Sequence, residues 1–370
     1  MIVTRTPFRV TLGGGGTDLP SFYREHGGFI FAMGIDKYMY LMLNPPTVDD
    51  KIRLHYSRSE VVNDIDELRH ELAREALRLH GIRNKIEVSS MADLPDGTGL
   101  GSSSAYLVGL LTALHQYRRQ YVSLQALAEE ACHIELDVLG KPIGKQDQYM
   151  AAFGGLTVLD IARNGTVDVR AIGSPSGSVS ALVANTHLYY TGQRRSAVDV
   201  LRDQDQAIRT LSVEKAAANG AGAPATATAA LTPRGVVDAL LRIKDLGYRI
   251  LEAIENESYD EWGRLLHEHW CSKKRLSNRI SLERVDTLYE HVRREYHVLG
   301  GKIAGAGGGG FLMLYCERDH KRLESFMLEQ GMPRLHYAVE NEGSKVVANL
   351  ASRPSLRTLP EALAAREAQA

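Results

Sequence analysis

The stretch that decides the fold is Pro95-Asp96-Gly97-Thr98-Gly99-Leu100-Gly101-Ser102-Ser103-Ser104-Ala105. Its three glycines stand at every second position, so the backbone can approach a partner closely and adopt conformations that other residues resist. A strand-like run at 85–90 precedes the loop, and the Leu- and Ala-rich segment 102–117 after it reads as a helix. The stretch therefore predicts a strand–loop–helix unit with three serines at the start of the helix.

The start of this helix is suited to an anion. Orphan amide groups and the helix dipole favour a phosphate there, and serine hydroxyls can bind phosphate oxygens or a metal ion. The loop is not a Walker A motif, because no Gly-Lys-Ser/Thr ends it, and it is not a dinucleotide fingerprint, because Ser102 stands where the third glycine would fall. A glycine-rich turn with a serine N-cap is the purely structural alternative.

Two further glycine runs strengthen the phosphate interpretation. Gly13-Gly14-Gly15-Gly16-Thr17-Asp18 follows the first strand-like segment, and residues 302–310 precede a late strand at 311–315. A single run could be only a flexible turn. Two such runs together with the serine loop indicate that several backbone segments converge on one polyanionic ligand.

Composition excludes several classes of protein. The 370 residues are 44% hydrophobic and 24% charged, which is typical of a soluble globular protein, and the net charge of -1 gives no global field for nucleic acid or anionic membranes. Cys132, Cys271 and Cys316 are widely spaced, which argues against a disulfide framework or a zinc site. The N-terminus lacks a signal-peptide pattern, and no apolar stretch approaches the ~20 residues that cross a bilayer. We expect a cytoplasmic protein with no nucleic-acid or membrane partner.

The chain mixes strand-like and helix-like segments. We expect two domains, 1–178 and 179–370, with a boundary near a soft stretch that begins at Gly173. The second half carries a low-complexity insertion near 216–230, rich in Ala, Gly, Thr and Pro. The other segments predicted are helices at 67–80, 124–139 and 359–370, and strands at 2–12, 154–161 and 181–185.

Three ordered motifs resemble those of the GHMP kinases, the family named for galactokinase, homoserine kinase, mevalonate kinase and phosphomevalonate kinase. Residues 5–18 are similar to the substrate motif, 95–105 to the ATP loop and 302–310 to the C-terminal glycine motif. The resemblance implies an α+β fold with two domains, the first like the second domain of ribosomal protein S5 and the second ferredoxin-like, with the active site between them. It also implies ATP and Mg²⁺, and ATP contacts at Pro95, Gly97, Gly99, Leu100, Gly101, Ser102, Ser103 and Ser104.

The resemblance assigns catalytic roles to two residues. Asp147 matches the aspartate that galactokinase-like members are thought to use as a base, and a carboxylate near the acceptor hydroxyl could take its proton. Arg9 stands where the same branch has an arginine that could neutralise the transferring phosphoryl group. A helix-capping aspartate and a structural salt bridge are the respective alternatives.

Magnesium candidates follow from the same resemblance. Glu135 matches the family's magnesium-associated glutamate, and Ser103 matches the serine that reaches the same ion. One carboxylate and one hydroxyl suffice for Mg²⁺, which keeps waters and phosphate oxygens as its other ligands. His133 and Asp137 nearby also invite a metal-cluster interpretation, but solvation of a helix face explains them better.

The acceptor is expected to be a sugar. Asp18, with Thr17, matches the carboxylate that holds sugar hydroxyls in the galactokinase branch, and the first motif, 142–149 and 190–196 resemble bacterial kinases of D-glycero-D-manno-heptose 7-phosphate. A sugar phosphate needs a cationic pocket. The substrate-binding candidates are Gly15, Gly16, Thr17, Asp18, Asp147, Arg194, Gly307 and Gly308. Other basic candidates for a phosphate contact are Lys145, Arg195, Lys273, Lys274 and Arg275.

Three other functions remain open from the sequence. The first is a kinase of a neutral sugar such as fucose or galactose, and the second is the decarboxylase relative of the same superfamily, which the first motif disfavours. The third is a nucleotide-binding regulatory protein without catalysis, against which intact Ser103, Glu135 and Asp147 argue. The anomer and the oligomeric state, a homodimer included, are also open.

Overall fold

The computed structural model describes residues 1–173, 176–194, 197–218, 232–277 and 279–350. The strands are β1 Ile2–Gly13, β2 Gly28–Asn44, β3 Ile52–His55, β4 Ser59–Val62, β5 Ile86–Ala92, β6 Leu156–Ile161, β7 Val167–Ala171, β8 Thr186–Tyr190, β9 Val298–Ile303, β10 Phe311–Cys316, β11 Arg334–Leu335 and β12 Lys345–Asn349. The helices are α1 Pro20–His26, α2 Glu71–Leu79, α3 Ser102–Tyr117, α4 Leu124–Cys132, α5 Gln146–Phe153, α6 Ser176–Asn185, α7 Ala197–Ala218, α8 Pro233–Glu255, α9 Tyr259–Lys273, α10 Glu283–Glu295 and α11 His320–Glu329. None of these helices is long and apolar enough to cross a membrane.

The long strand β2 organises the first sheet. One edge pairs antiparallel with β1, while the other edge pairs with β6 along its first half and with β5 along its second half. The register of the β1–β2 pair shifts between Pro7 and Phe8, where β2 bends after Gly34. The sequence indicates two β-rich runs around Gly34, and the structure joins them into this one bent strand. The late strand β12 returns to pair with β1, so this sheet also contains a strand from the second half of the chain.

Helix α3 packs across the first sheet. Ten of its sixteen residues are buried, and most of these are apolar, as its Leu and Ala content requires. At Gly109 the helix approaches the sheet so closely that an added Cβ would lie 2.7 Å from side-chain atoms of Leu41 and Thr6. This close packing fixes the start of α3, and with it the loop that precedes the helix, against β1.

The second sheet is antiparallel, in the order β11-β8-β10-β9. Helix α9 lies against β9 at Gly263 and Gly300, where an added Cβ on Gly300 would lie 1.9 Å from the Gly263 carbonyl oxygen. Trp262 is fully buried beside Tyr315 of β10, with the rings edge to face. The α+β class predicted from the sequence is confirmed.

Two predictions of local structure are wrong. Residues 181–185 belong to α6, and the strand begins only at Thr186, because the small residues Ala181 and Ala184 favour the helix while the β-branched and aromatic residues follow it. The helix predicted over 67–80 begins later, at Glu71, where the His70 side chain caps the amide of Ala73. Residues 219–230 of the predicted insertion and the predicted helix at 359–370 lie outside the described residues, and the domain boundary near 178 stays a prediction.

Candidate active site

A cleft of about 1110 Å³ is lined by residues from both halves of the chain. Its lining includes most of the glycine–serine loop from Pro95 to Ser104 and, from the second half of the chain, Gln204, Lys273 and Gly305. Asp147, Arg9 and Asp18 also line the cleft. The cleft therefore brings together the three motifs that the sequence singles out.

The glycine–serine loop leads into α3 through left-handed backbone. Gly97, Gly99 and Gly101 have φ of 70°, 77° and 84°, a region that disfavours residues with a Cβ. The amide of Ala105 bonds the Gly101 carbonyl at 2.9 Å, so the amides of the three serines precede the first intrahelical bond. These amides and the helix dipole suit a phosphate group.

The C-terminal glycine run supports the loop from behind. An added Cβ on Gly99 would lie 2.8 Å from the Ala304 carbonyl oxygen, and one on Gly310 would lie 2.1 Å from the Thr98 carbonyl oxygen. Gly310 also has a φ of 84°. The two runs are therefore in backbone contact, which requires glycine on both sides.

Arg9 and Asp147 form an ion pair at the floor of the cleft. The Arg9 Nε donates to Asp147 Oδ1 at 2.7 Å, and the Arg9 Nη1 donates to the Gly99 carbonyl at 2.7 Å. The Arg9 amide also bonds the Leu100 carbonyl at 3.1 Å. Arg9 is buried, so the guanidinium ties Asp147 directly to the loop.

Asp18 is a buried carboxylate beside this pair. It accepts hydrogen bonds from the amides of Gln146 at 3.0 Å and Gly16 at 3.2 Å. An added Cβ on Gly144 would lie 1.8 Å from its Oδ2, so residue 144 must be glycine for Asp18 to keep this position. Burial, with a smaller contribution from the charge of Asp147, raises the pKa of Asp18 to about 6.

Glu135 and Ser103 meet at the other end of the loop. Glu135 is buried, and it accepts hydrogen bonds from Ser104 at 2.7 Å, Ser103 at 3.3 Å and Gln148 at 2.6 Å. Burial raises the pKa of Glu135, while Lys141, whose Nζ lies 3.6 Å away, opposes the rise. A carboxylate and a hydroxyl side by side match the donors that Mg²⁺ takes from protein.

Several candidates from the sequence do not line the cleft. The Thr17 hydroxyl donates to the carbonyls of Gly14 and Phe29, both at 2.8 Å, and so serves the turn itself. Gly308 donates its amide to the Ile280 carbonyl at 2.7 Å, and the adjacent Gly307 packs against the same carbonyl.

The other basic candidates are also held elsewhere, apart from Lys273 and Arg194. Lys145 turns away to bond Glu129 at 3.0 Å, and Lys274 pairs with Asp286 at 3.1 Å. Arg275 is exposed but does not line the cleft, and Arg195 lies outside the described residues. The exposed pair of His133 and Asp137, 3.0 Å apart, lies on the π-helical segment His133–Val138 that follows α4, as the solvation interpretation expects.

Sequence reasoning missed Gln204 and underrated Lys273. Gln204 of α7 is buried in the cleft wall, and within the described part of the chain its Oε1 has no hydrogen-bond partner. Lys273 donates to the carbonyls of Ile303, at 3.1 Å, and Gly305. Burial, with the nearby charge of Arg9, lowers its pKa to about 7. A buried polar atom on a helix so far along the chain from the first motif has no signal in sequence spacing.

Comparisons with known proteins find similarity to sugar kinases along most of the chain. The family profile "GHMP kinases N terminal domain" matches residues 65–155, and "GHMP kinases C terminal" matches 250–331. The chain is 26% identical to the D-glycero-alpha-D-manno-heptose 7-phosphate kinase of Campylobacter jejuni, over 93% of this chain and 98% of the relative. It is 25% identical to the galactokinase of Pyrococcus furiosus, over 86% and 90%.

A solved structure shows the same fold. The D-glycero-D-manno-heptose 1-phosphate kinase of Bacteroides thetaiotaomicron superposes with a TM-score of 0.73 over 95% of this chain and all of that one, at 21% identity. The two family profiles occur in order on this chain, and the glycine–serine loop lies within the first of them. The chain therefore carries the N-terminal and the C-terminal GHMP kinase domains.

Proposed function

We propose that this protein transfers the γ-phosphoryl group of ATP to the anomeric hydroxyl of a sugar phosphate, with D-glycero-D-manno-heptose 7-phosphate as the acceptor and the 1,7-bisphosphate as the product. The chain is a sugar kinase. The observation that carries the proposal is the Arg9–Asp147 pair, tied at 2.7 Å to the carbonyl of Gly99 in the phosphate-binding loop. The pair supports the proposal because it holds a carboxylate beside the loop that we propose binds the phosphates of ATP.

In the reaction, the oxygen of the acceptor hydroxyl forms a bond to the γ-phosphorus, and Asp147 takes the proton of that hydroxyl. The bond between that phosphorus and the bridging oxygen breaks, and ADP leaves with the electron pair. Phosphoryl transfer depends mainly on positioning and charge neutralisation, so Arg9 acts by holding Asp147 and by adding positive charge beside the transferring group.

Ser103 and Glu135 would hold Mg²⁺. When bound, the ion neutralises charge on the phosphate oxygens. Glu135 is fixed for this role by Ser104 and Gln148, which bond its Oε2 at 2.7 and 2.6 Å and leave Oε1 toward Ser103. A buried carboxylate held in this way loses little freedom when a cation binds.

The acceptor pocket combines hydroxyl contacts with one exposed cation. Asp18 and the unpaired Oε1 of Gln204 are acceptors for sugar hydroxyls. Of the four cations among the described residues of the cleft, Arg9 pairs with Asp147, Lys141 lies 3.6 Å from the buried Glu135, and Lys273 donates to backbone carbonyls. Arg194 pairs at 3.2 Å with Asp96, and both side chains are more than half exposed. This weak pair can open for a substrate phosphate.

A neutral sugar is the second candidate acceptor. The galactokinase relative covers 86% of this chain, and Asp96 already satisfies the charge of Arg194. If the Arg194–Asp96 pair stays closed, the pocket has no exposed cation among its described residues, and a sugar without phosphate would fit as well. The two candidates therefore differ at Arg194.

The test measures ADP release with heptose 7-phosphate, heptose, heptose 1-phosphate, galactose and fucose, and ³¹P NMR identifies the position phosphorylated. We expect the highest kcat/KM for heptose 7-phosphate, reduced roughly tenfold or more in Arg194→Gln. Arg202→Gln is the matched control, because Arg202 pairs at 3.3 Å with Asp199 at similar exposure outside the cleft.

Equal kcat/KM for heptose and its 7-phosphate would reject the phosphate specificity, and ATP binding without turnover on any acceptor would favour a regulatory protein.

A further inference from the structure

A second cluster of chemistry-bearing side chains lies outside the cleft. His80 follows α2, His115 lies near the end of α3, and Glu130 lies on α4. One ligand atom from each residue can be chosen so that all lie within 4.8 Å of one another. His80 Nε2 is 3.0 Å from Glu130 Oε1, and His115 Nε2 is 2.6 Å from Glu130 Oε2. Two imidazoles therefore converge on the two oxygens of one carboxylate.

Hydrogen bonding leaves part of this cluster unsatisfied. His115 bonds Glu130, but the buried Nε2 of His80 has no hydrogen-bond partner within the described part of the chain, although a carboxylate oxygen is 3.0 Å away. The two atoms are close without the alignment that a hydrogen bond needs. A buried unsatisfied nitrogen in a native structure calls for an explanation, and an ion that it ligates is one.

The donor set is one that zinc prefers. Two imidazole nitrogens and a carboxylate, with a water in the fourth position, are a recurrent set of ligands for Zn²⁺ at about 2.0–2.2 Å. Mg²⁺ prefers oxygen ligands and gains little from imidazole. The side chains of His80, His115 and Glu130 are at most 18% exposed, so the cluster is largely shielded from bulk water.

The cluster is remote from the candidate active site. His115 lies twelve residues after Ser103 on α3, which corresponds to about 18 Å along the helix. None of the three residues lines the cleft. A cation bound here would act on the scaffold by joining the ends of α2, α3 and α4.

We propose that His80, His115 and Glu130 bind one Zn²⁺-like divalent cation as a structural site that ties three helices together. The ion displaces the proton that His115 shares with Glu130 and takes the unsatisfied nitrogen of His80 as a ligand. The spacing of the cysteines argued against zinc in the sequence, but this site contains no cysteine. Its residues are 35 and 15 positions apart, too irregular for a motif.

The test uses the full chain, stripped with a chelator and titrated with Zn²⁺ against a chromophoric competitor, and with Co²⁺ followed by visible absorption. We expect one equivalent of tight Zn²⁺, a four-coordinate Co²⁺ spectrum, and a Tm that rises on adding Zn²⁺ but not Mg²⁺. His115→Gln and Glu130→Gln should each weaken binding roughly tenfold or more. His133→Gln is the control, because His133 also pairs with a carboxylate on a helix but is exposed.

Two outcomes would overturn the proposal. The first is the absence of stoichiometric Zn²⁺ binding by the native chain, a result that does not depend on whether any variant folds. The second is unchanged affinity in His115→Gln and Glu130→Gln variants whose circular dichroism matches that of the native chain. A Co²⁺ spectrum lost in both variants and kept in His133→Gln would support it.

Discussion

The two sides of the cleft are built in different ways. The side that we propose for the nucleotide is one continuous segment, from Pro95 to Ser104, and its proposed phosphate donors are backbone amides at the start of α3. The side that we propose for the acceptor is assembled from separate elements, with Asp18 after β1, Asp147 on α5, Gln204 on α7 and Lys273 on α9. One side depends on backbone conformation and the other on side chains.

This difference separates a general function from a specific one. Backbone amides bind any phosphate, so the loop can serve every member of a kinase family without choosing the acceptor. We propose that side chains such as Asp18 and Gln204 select the hydroxyl pattern of the acceptor, because a buried group left unpaired by the wrong substrate is costly. Variants on the two sides should therefore separate ATP binding from acceptor binding.

The largest effect is expected at Asp147, where the two sides meet. Asp147→Asn keeps an oxygen for Arg9 but removes the proton acceptor, so we expect kcat to fall by roughly 10²–10⁴ with little change in the KM for ATP. Steady-state kinetics with heptose 7-phosphate measures both. Asp137→Asn is the control, because Asp137 is an exposed aspartate paired with His133. Native turnover in Asp147→Asn would exclude the proton-accepting role.

A glycine on the nucleotide side should affect ATP and not the acceptor. Gly99→Ala combines a φ of 77° with a Cβ 2.8 Å from the Ala304 carbonyl oxygen. We expect the KM for ATP to rise by up to roughly a hundredfold, because the loop must move.

Gly81→Ala is the matched control for backbone strain. Gly81 has a φ of 67°, and a Cβ there meets nothing within 4 Å. The substitution should cost only about 1–2 kcal/mol of unfolding free energy, measured by denaturant, without changing the KM for ATP. An equal KM for ATP in Gly99→Ala and Gly81→Ala would mean that the close approach of Gly99 to Ala304 does not shape the ATP site.

The nucleotide side was the more predictable from sequence. Its glycine spacing is local, and the bounds of α3, Ser102–Tyr117, follow from a continuous Leu- and Ala-rich segment. The strand expected at 181–185 failed because a short apolar run suits either a helix or a strand, and only its neighbours decide.

The acceptor side was predictable only where the family resemblance supplied it. Lys145 is two positions from Asp147, but residues two apart near a helix start point in different directions, and Lys145 bonds Glu129 instead. Gln204 and Gly16 are neighbours only in the folded chain, where an added Cβ on Gly16 would lie 3.6 Å from Gln204 Oε1. No pattern of spacing encodes such a contact.

Asp18 offers a pH test of the acceptor side. Burial raises the pKa of Asp18 from 3.8 to about 6. Between pH 3.8 and pH 6, Asp18 is therefore protonated in the folded chain and ionised in the unfolded chain. Stability therefore falls as pH rises from 3.8 to 6, by roughly 3 kcal/mol in total, and the loss is complete above that range. Asp18→Asn should remove this loss.

The readout is the difference in unfolding free energy between Asp18→Asn and the native chain, which should favour the variant more at about pH 7.5 than at about pH 5. Comparing two pH values cancels any fixed cost of placing an amide against the Gln146 amide. The native kcat/KM for the acceptor should rise with pH through about 6, because only the ionised Asp18 accepts hydroxyl protons strongly, and this rise should vanish in Asp18→Asn. A pH-independent difference in stability would contradict the raised pKa.

The smallest kinetic effect is expected at Gln204, and it tests most directly whether side chains on the proposed acceptor side select the acceptor. Gln204→Met keeps the length and burial of the side chain but removes the unpaired Oε1, so the free protein should lose no stability. The KM for the acceptor should rise roughly 3–10-fold while kcat and the KM for ATP stay unchanged, because one hydrogen bond to a sugar hydroxyl is lost. Gln206→Met, two positions along α7 on an exposed face, is the control. A gain in stability with an unchanged acceptor KM would mean that Oε1 is a buried defect of the scaffold, and acceptor selection would then rest on Asp18 and Arg194.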